Sequence, residues 1–158
     1  MRKPAARYTI TALATLAVIA AGPVAAQAAA SPVVEKAGVT AACTGTKGVT
    51  VVVDFTKLGG KAKTACDPTD PKTGLAALTG AGFTYTFVPR FPGFVCTINK
   101  LPNPCNGAPA TAYWSYWHAK PHGKWVYSST GAGTYNPKPG SVEGWAFGAG
   151  KPPGISPP

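Results

Sequence analysis

The residues of this sequence best suited to binding chemistry are aromatic, and they are concentrated in its second half. All four tryptophans and four of the six tyrosines lie between positions 113 and 145. Aromatic rings bury large areas and stack on flat ligands, so this region is expected to form a core, a binding face, or both. The residues predicted to bind a ligand are Trp114, Tyr116, His118, Trp125 and Tyr127.

Side chains alternate between two faces along the predicted strand 112–119. The two rows are Tyr113, Ser115 and Trp117 on one side, and Trp114, Tyr116 and His118 on the other. Because one helix covers only one face of a sheet, we expect one row to pack under the helix. The other row is expected to stay partly open and to form a shallow platform with Trp125 and Tyr127. The alternative is that loops fold over the platform and every ring is structural.

The carboxylates give little sign of catalysis. Asp54 and Glu143 lie in predicted strands and could meet as a pair for glycoside hydrolysis, but nothing in the sequence brings them together. Asp67 and Asp70 lie beside the predicted helix start, where negative charge is favourable. No Gly-x-Ser-x-Gly elbow occurs. The chain is therefore predicted not to be an enzyme and to require no cofactor.

The two histidines do not predict a metal site. His118 and His122 are four residues apart, which would suit a metal if the segment were helical. Pro121 and Gly123 exclude a helix there, so we expect a turn and no bound metal. His118 stays a candidate donor to a ligand.

The four cysteines, Cys43, Cys66, Cys96 and Cys105, predict two disulfides. An even number of cysteines in a chain bound for an oxidising space is typical of a disulfide framework. Three connectivities exist, and sequential pairing is favoured. Cys96 and Cys105 flank a short loop, and Cys43 and Cys66 bracket a predicted hairpin. A zinc site is the alternative, but no C-x-x-C pair is present.

The N-terminus has the pattern of a secretory signal peptide over residues 1–30. Three basic residues precede an apolar run at 10–21 that is short for a membrane span, and small residues suited to cleavage follow. Residues 31–42 are predicted to be a flexible lead-in and 43–147 a domain. Residues 148–158, rich in Gly and Pro, are predicted to be disordered or polyproline-like. We expect a secreted protein that is either released or associated with the cell wall. We expect no membrane span in the mature chain.

The charge of the chain is strongly basic. Three of the fifteen basic residues lie within residues 1–30, which leaves twelve against five acidic residues and a net charge of +7. Outside the cell this balance favours acidic wall polymers or lipid headgroups over nucleic acid. The lysines are scattered along the sequence, so the alternative is an ordinary solvated basic surface.

The order of predicted elements indicates an α+β fold. A β-branched strand at 49–55 and a return strand at 62–66 are followed by a helix that starts at Asp70-Pro71 and ends near Gly80. Further strands are predicted at 83–88, 94–98, 112–118, 124–128 and 141–147. One helix packed on a mainly antiparallel sheet is the expected architecture.

Three segments resemble the C-terminal domain of the cobalamin carriers transcobalamin and intrinsic factor. They are Tyr-Trp at 113–114, Ser-Thr-Gly-Ala-Gly-Thr-Tyr at 129–135 and Pro-Gly-Ser-Val-Glu-Gly-Trp at 139–145. Region 43–147 also resembles a group of secreted actinobacterial proteins of unassigned function. That resemblance rests on Gly-Val-Thr-Val-Val-Val-Asp-Phe, the two cysteine pairs and Tyr-Trp-Ser-Tyr-Trp-His-Ala.

The resemblance implies a β-grasp-like fold and capture of a corrinoid (cobalamin) for a membrane uptake system. The carriers hold cobalamin between this domain and a helical domain, and this sequence contains no counterpart of the latter. Two alternatives stay open. One is a module that binds cell-wall glycans through an aromatic platform. The other is a protease inhibitor with the Cys96–Cys105 loop as its reactive segment.

Overall fold

The computed structural model describes residues 41–158. The predicted signal peptide and residues 31–40 of the predicted lead-in lie outside the described residues. The elements in chain order are β1 (Val49–Asp54), a 3-10 turn (Thr56–Leu58), β2 (Ala62–Asp67), α1 (Gly74–Gly80), β3 (Tyr85–Val88), β4 (Phe91–Ile98), β5 (Tyr113–Ala119), β6 (Val126–Tyr127) and β7 (Val142–Gly148).

The main sheet has the strand order β2-β1-β7-β5-β6. Strands β1 and β7 are parallel, and the other pairs are antiparallel. A β-grasp-like fold is expected to contain a first hairpin, then a helix, and then a last strand that lies parallel to the first strand. The α+β prediction is therefore confirmed. Strands β3 and β4 form a separate two-stranded hairpin.

Strand β1 lies at the centre of the fold. All six of its residues are buried, which explains its β-branched residues at nearly every position. The odd-numbered residues from Val49 to Val53 face the helix, while Thr50 and Val52 face the opposite side. Both faces of the sheet are therefore covered.

Helix α1 starts later than the sequence indicated. Thr73, not Asp70, is the N-cap, and its hydroxyl accepts a hydrogen bond from the Ala76 N–H at 3.0 Å. The Asp67 side chain instead accepts from the Thr69 N–H at 2.9 Å and stabilises the preceding turn. The helix ends at Gly80, as predicted. At seven residues it depends on packing against the sheet for its stability.

One layer of the core lies between the sheet, α1 and the β3–β4 hairpin. Its large side chains are Phe55, Leu78, Phe83, Ile98, Trp114, Tyr116 and Trp145. The Phe55 ring contacts the Trp114 ring edge-on, with centroids 5.3 Å apart. This layer draws strands from both halves of the sequence together.

The opposite face of the sheet is covered by Trp125 and residues 148–158. Pro153 and Pro157 are buried, and the Gly154 N–H donates to the Asp54 carboxylate at 2.6 Å. Residues 149–158 form no helix or strand. The sequence predicted a disordered or polyproline-like tail here; in the structure its prolines cover a face that the sheet offers.

Two disulfides join the cysteines in sequential pairs, Cys43–Cys66 and Cys96–Cys105, as predicted. The first ties the segment before β1 to β2. The second closes the loop that follows β4. Each crosslink restricts the unfolded chain and so favours the folded state.

Candidate ligand-binding cleft

Both rows of side chains on β5 are largely covered. Trp114 and Tyr116, on the helix side, are 6% and 7% exposed, and Trp117, on the other side, is 8% exposed. His118 lies at the end of the first row and is partly buried. An open row of rings along β5 is therefore not formed. The sequence reasoning missed that an irregular C-terminal segment can cover the second face.

Trp125 and Tyr127 do not join the other predicted site residues in one platform. The Trp125 ring lies directly over Gly144, on the face opposite Trp114, and its Nε1–H donates to the Ile155 carbonyl at 2.7 Å. Tyr127 is 49% exposed, and its hydroxyl lies 3.4 Å from that of Tyr113. Of the five predicted residues, only Trp114, Tyr116 and Tyr127 line a common cavity.

That cavity is an open cleft of about 220 Å³ along the edge of β5. It exists because β6 has only two residues, which pair with Trp117 and His118 and leave the start of β5 without a neighbour on that side. The cleft is lined by Gly93, Phe94, Val95, Tyr113, Trp114, Tyr116, Tyr127, Trp145 and residues 128–132. Aromatic rings form its walls, and the glycine- and hydroxyl-rich segment 128–132 forms one rim.

Trp145 lines this cleft, and its buried indole N–H has no hydrogen-bond acceptor within residues 41–158. The Trp145 side chain is 2% exposed. The other indoles all donate. Trp114 donates to the Leu101 carbonyl, Trp117 to the Ser115 hydroxyl and Trp125 to the Ile155 carbonyl. A buried donor left unpaired costs about 1–3 kcal/mol, so a ligand whose acceptor reached this N–H, after movement of the side chains that cover it, would gain from the contact.

A buried polar cluster lies behind the cleft wall. The Tyr116 hydroxyl donates to the Glu143 carboxyl, which is fully buried, and the Ser141 hydroxyl donates to the same group at 3.2 Å. The His118 Nδ1 lies 3.7 Å from Glu143 Oε2. The His118 ring stacks on Tyr135 with centroids 4.0 Å apart.

Burial sets the protonation of this cluster. It raises the pKa of Glu143 to about 7, although the hydrogen bonds from Tyr116 and Ser141 act in the opposite sense. Burial lowers the pKa of His118, and burial together with the Glu143 charge raises that of Tyr116. Near neutral pH the contact therefore joins a neutral imidazole to a carboxyl that is partly protonated. It is not a fixed ion pair. Tyr116 links this carboxyl to the cleft wall.

The two strand carboxylates lie on opposite faces of the sheet. Glu143 is paired with Val51 on the helix side, whereas Asp54 is paired with Ala146 on the other. The glycosidase-like pair considered from the sequence is not formed. Burial alone would raise the pKa of Asp54. Hydrogen bonds from Gly154 and Thr56 outweigh this effect and hold the pKa below its ordinary value.

The described residues contain no group of three or more His, Cys, Asp or Glu side chains that could hold a metal ion. His118 is the last residue but one of β5, and His122 lies in the following turn with a φ of 58°. Within residues 41–158, no helix is long and apolar enough to cross a membrane.

Sequence reasoning missed Phe94 and Trp145 as cleft residues. Trp145 was recognised as an aromatic strand residue, but its neighbourhood depends on β7 lying between β1 and β5, which no local pattern reveals. Phe94 reaches the cleft because the β3–β4 hairpin packs near β5, a contact between distant parts of the chain.

Comparison with known proteins gives one match. A family model described as a SCO2322-like domain, for a family of unknown function, matches residues 106–154. The match spans β5, β6 and β7 and thus most of the cleft wall, but it covers under a third of the chain. No curated protein and no solved structure matches the sequence. These comparisons give no link to the cobalamin carriers. The chain is therefore similar to SCO2322-like domains over its C-terminal strands.

Proposed function

We propose that this protein is an extracellular, non-enzymatic module that binds a small ligand in the cleft beside β5. The observation that carries the proposal is the unpaired indole N–H of Trp145 next to an aromatic cavity. Binding sites for small molecules commonly combine apolar walls with a few well-placed polar groups. The two disulfides suit an oxidising compartment.

The ligand class that we propose is a corrinoid or a similar flat, amide-bearing cofactor, taken up for transfer to a membrane transport system. The resemblance in three segments to the cobalamin carriers supports this class. The chemistry of the cleft is compatible, because amide carbonyls on a corrin rim are acceptors for Trp145 and its ring edge is apolar enough for Phe94 and Trp114.

The size of the cleft limits how the ligand is held. A volume of about 220 Å³ is below the roughly 300–1,000 Å³ of sites that enclose a drug-sized molecule. Only one edge of a corrinoid would enter, with the remainder outside. We therefore expect modest affinity from this chain alone, and a second protein surface would have to cover the exposed part for tight capture.

The test is isothermal titration calorimetry with cyanocobalamin. Calorimetry is preferred to fluorescence because cyanocobalamin absorbs light strongly. We expect Trp145→Phe to weaken binding roughly 3- to 10-fold, because it removes one donor and keeps an aromatic ring. Trp125→Phe is the matched control, since it removes an indole on the opposite face of the sheet. Equal affinity in both variants, or no binding by the unmodified protein, would rule out this assignment.

The glycan-binding and protease-inhibitor alternatives make different predictions for the same protein. Retention on purified cell wall, unaffected by Trp145→Phe, would favour the first. Inhibition of an extracellular protease, lost after cleavage within the Cys96–Cys105 loop, would favour the second. The paired tryptophan variants show whether cyanocobalamin uses the Trp145 donor, and the wall and protease assays show whether the protein has either of the other activities.

A further inference from the structure

The tip of the β3–β4 hairpin is an exposed apolar projection. The two strands of this hairpin are out of step near the tip. Phe87 and Val88 are consecutive in β3, but their partners in β4 are Val95 and Phe91. Residues 92–94 between those partners are unpaired. Such an irregularity bends the strand that carries it. All six residues from 89 to 94, Pro-Arg-Phe-Pro-Gly-Phe, are exposed.

Two phenyl rings dominate the tip. Phe91 and Phe94 are each 63% exposed, the largest exposure among the large apolar side chains of residues 41–158. Both rings line a shallow hollow with Val88, and Phe94 also lines the cleft beside β5. A contiguous exposed apolar surface of this kind marks an interaction site more often than an isolated side chain does.

The surface around this tip is almost free of negative charge. The sequence contains no acidic residue between Asp70 and Glu143, a stretch that includes the whole hairpin, β5 and β6. Of the four acidic residues within 41–158, only Asp70 is exposed, and it pairs with Lys72. The eleven basic residues of the same region are all exposed. An anionic partner would therefore meet attraction and almost no repulsion.

From this combination we propose that the hairpin tip docks on an anionic lipid bilayer, with Phe91 and Phe94 inserted among the headgroups and Arg90 paired with lipid phosphate. Aromatic side chains beside basic residues are the features that hold peripheral proteins at the membrane interface. The inference goes beyond ligand binding and does not depend on it. It would place the opening of the cleft, which shares Phe94, close to the membrane surface.

A bilayer fits these features better than a soluble polyanion does. A wall polymer would engage the lysines but leave both phenyl rings in water. A bilayer satisfies the cations and the rings together, because its surface is charged and its interior is apolar. The soluble polyanion is therefore the competing outcome of the test.

The test is flotation of the full chain with vesicles of equal parts phosphatidylglycerol and phosphatidylcholine, at low and at 0.5 M salt. We expect binding that salt weakens, and at least a tenfold loss of binding in Phe91→Ser/Phe94→Ser. Ile155→Ser, which removes an exposed apolar side chain on the opposite face of the sheet, is expected to bind like the unmodified protein.

The apolar run at residues 10–21 is common to all variants, so only differences between them report on the tip. Circular dichroism checks that the double variant is folded. Equal vesicle binding by the double variant and the unmodified protein would overturn the proposal. So would binding to a soluble polyphosphate without binding to the vesicles, because the partner would then be a polyanion in solution.

Discussion

The Tyr116 hydroxyl donates a hydrogen bond to the buried Glu143 carboxyl, from β5 to the neighbouring strand β7. Tyr116 also lines the cleft, so one hydrogen bond separates an ionisable group in the core from the ligand-binding surface that we propose. Because Glu143 is fully buried, its charge state is tied to the stability of the whole domain.

Glu143 should make stability fall as pH rises from about 4.5 to about 7. Its ordinary pKa is 4.5 and burial raises it to about 7, so in this range the folded state holds a proton that the unfolded state releases. The loss levels off above pH 7 and amounts to about 3 kcal/mol at most. Urea unfolding at pH 5 and pH 7.5 measures it.

His118 acts in the opposite direction and has to be removed from the comparison. Burial lowers its pKa, so the unfolded state takes up a proton below about 6.5 and stability falls with falling pH. The measurement is therefore made in His118→Phe, with and without Glu143→Gln. If the two proteins follow parallel stability curves between pH 5 and 7.5, the elevated pKa of Glu143 is wrong.

Gly74→Ala should destabilise the domain, although alanine usually stabilises a helix. A Cβ at Gly74 would overlap the Tyr116 hydroxyl, so the ring or the helix would have to move. We expect a loss of about 1–3 kcal/mol in thermal or urea unfolding. Gly131→Ala is the control, because a Cβ at Gly131 would meet no atom within 4 Å. The free energy of unfolding of this variant should change little. A neutral effect of Gly74→Ala would mean that the helix is not seated on Tyr116.

Asp54→Ala should release the C-terminal segment from the sheet. The Asp54 carboxylate accepts hydrogen bonds from the Gly154 and Thr56 N–H groups, and their loss is expected to cost about 1–3 kcal/mol. Because the pKa of Asp54 is lowered from 3.8, this contribution is present above that pH and disappears as pH falls through the folded-state pKa.

The readout for Asp54→Ala is the urea midpoint together with the Trp125 indole N–H signal in a nitrogen–proton correlation spectrum. That signal should shift, since the acceptor of Trp125 is the Ile155 carbonyl in the same segment. Asp70→Ala, an exposed carboxylate, should change the free energy of unfolding by less than about 1 kcal/mol. Similar effects from the two variants would contradict the anchoring role of Asp54.

The sequence was most informative where local composition and burial agree. The β-branched residues of β1 indicated a strand buried on both faces, and the even number of cysteines indicated two disulfides. The prediction of where the helix starts was less accurate. Asp70-Pro71 is a good local start signal, but Thr73 provides the cap that the docked helix uses.

The cleft could not be predicted because it depends on contacts between distant segments. One helix covers only one face of the sheet, but the Gly- and Pro-rich composition gave no sign that residues 148–158 would cover the other face. The position of the cleft follows from the shortness of β6 and from Phe94 reaching across from the hairpin. Neither has a signature in the local pattern.

The most direct test of the central claim is the nitrogen–proton correlation spectrum of the indole groups during a titration with cyanocobalamin. Four indole signals are expected, assigned by single Trp→Phe variants. We predict that the Trp145 signal shifts downfield as its N–H gains an acceptor, while the Trp117 and Trp125 signals, which already have acceptors on the opposite face, stay in place. A Trp145 signal that does not move at saturating cyanocobalamin, or shifts confined to Trp117 and Trp125, would contradict the cleft as the binding site.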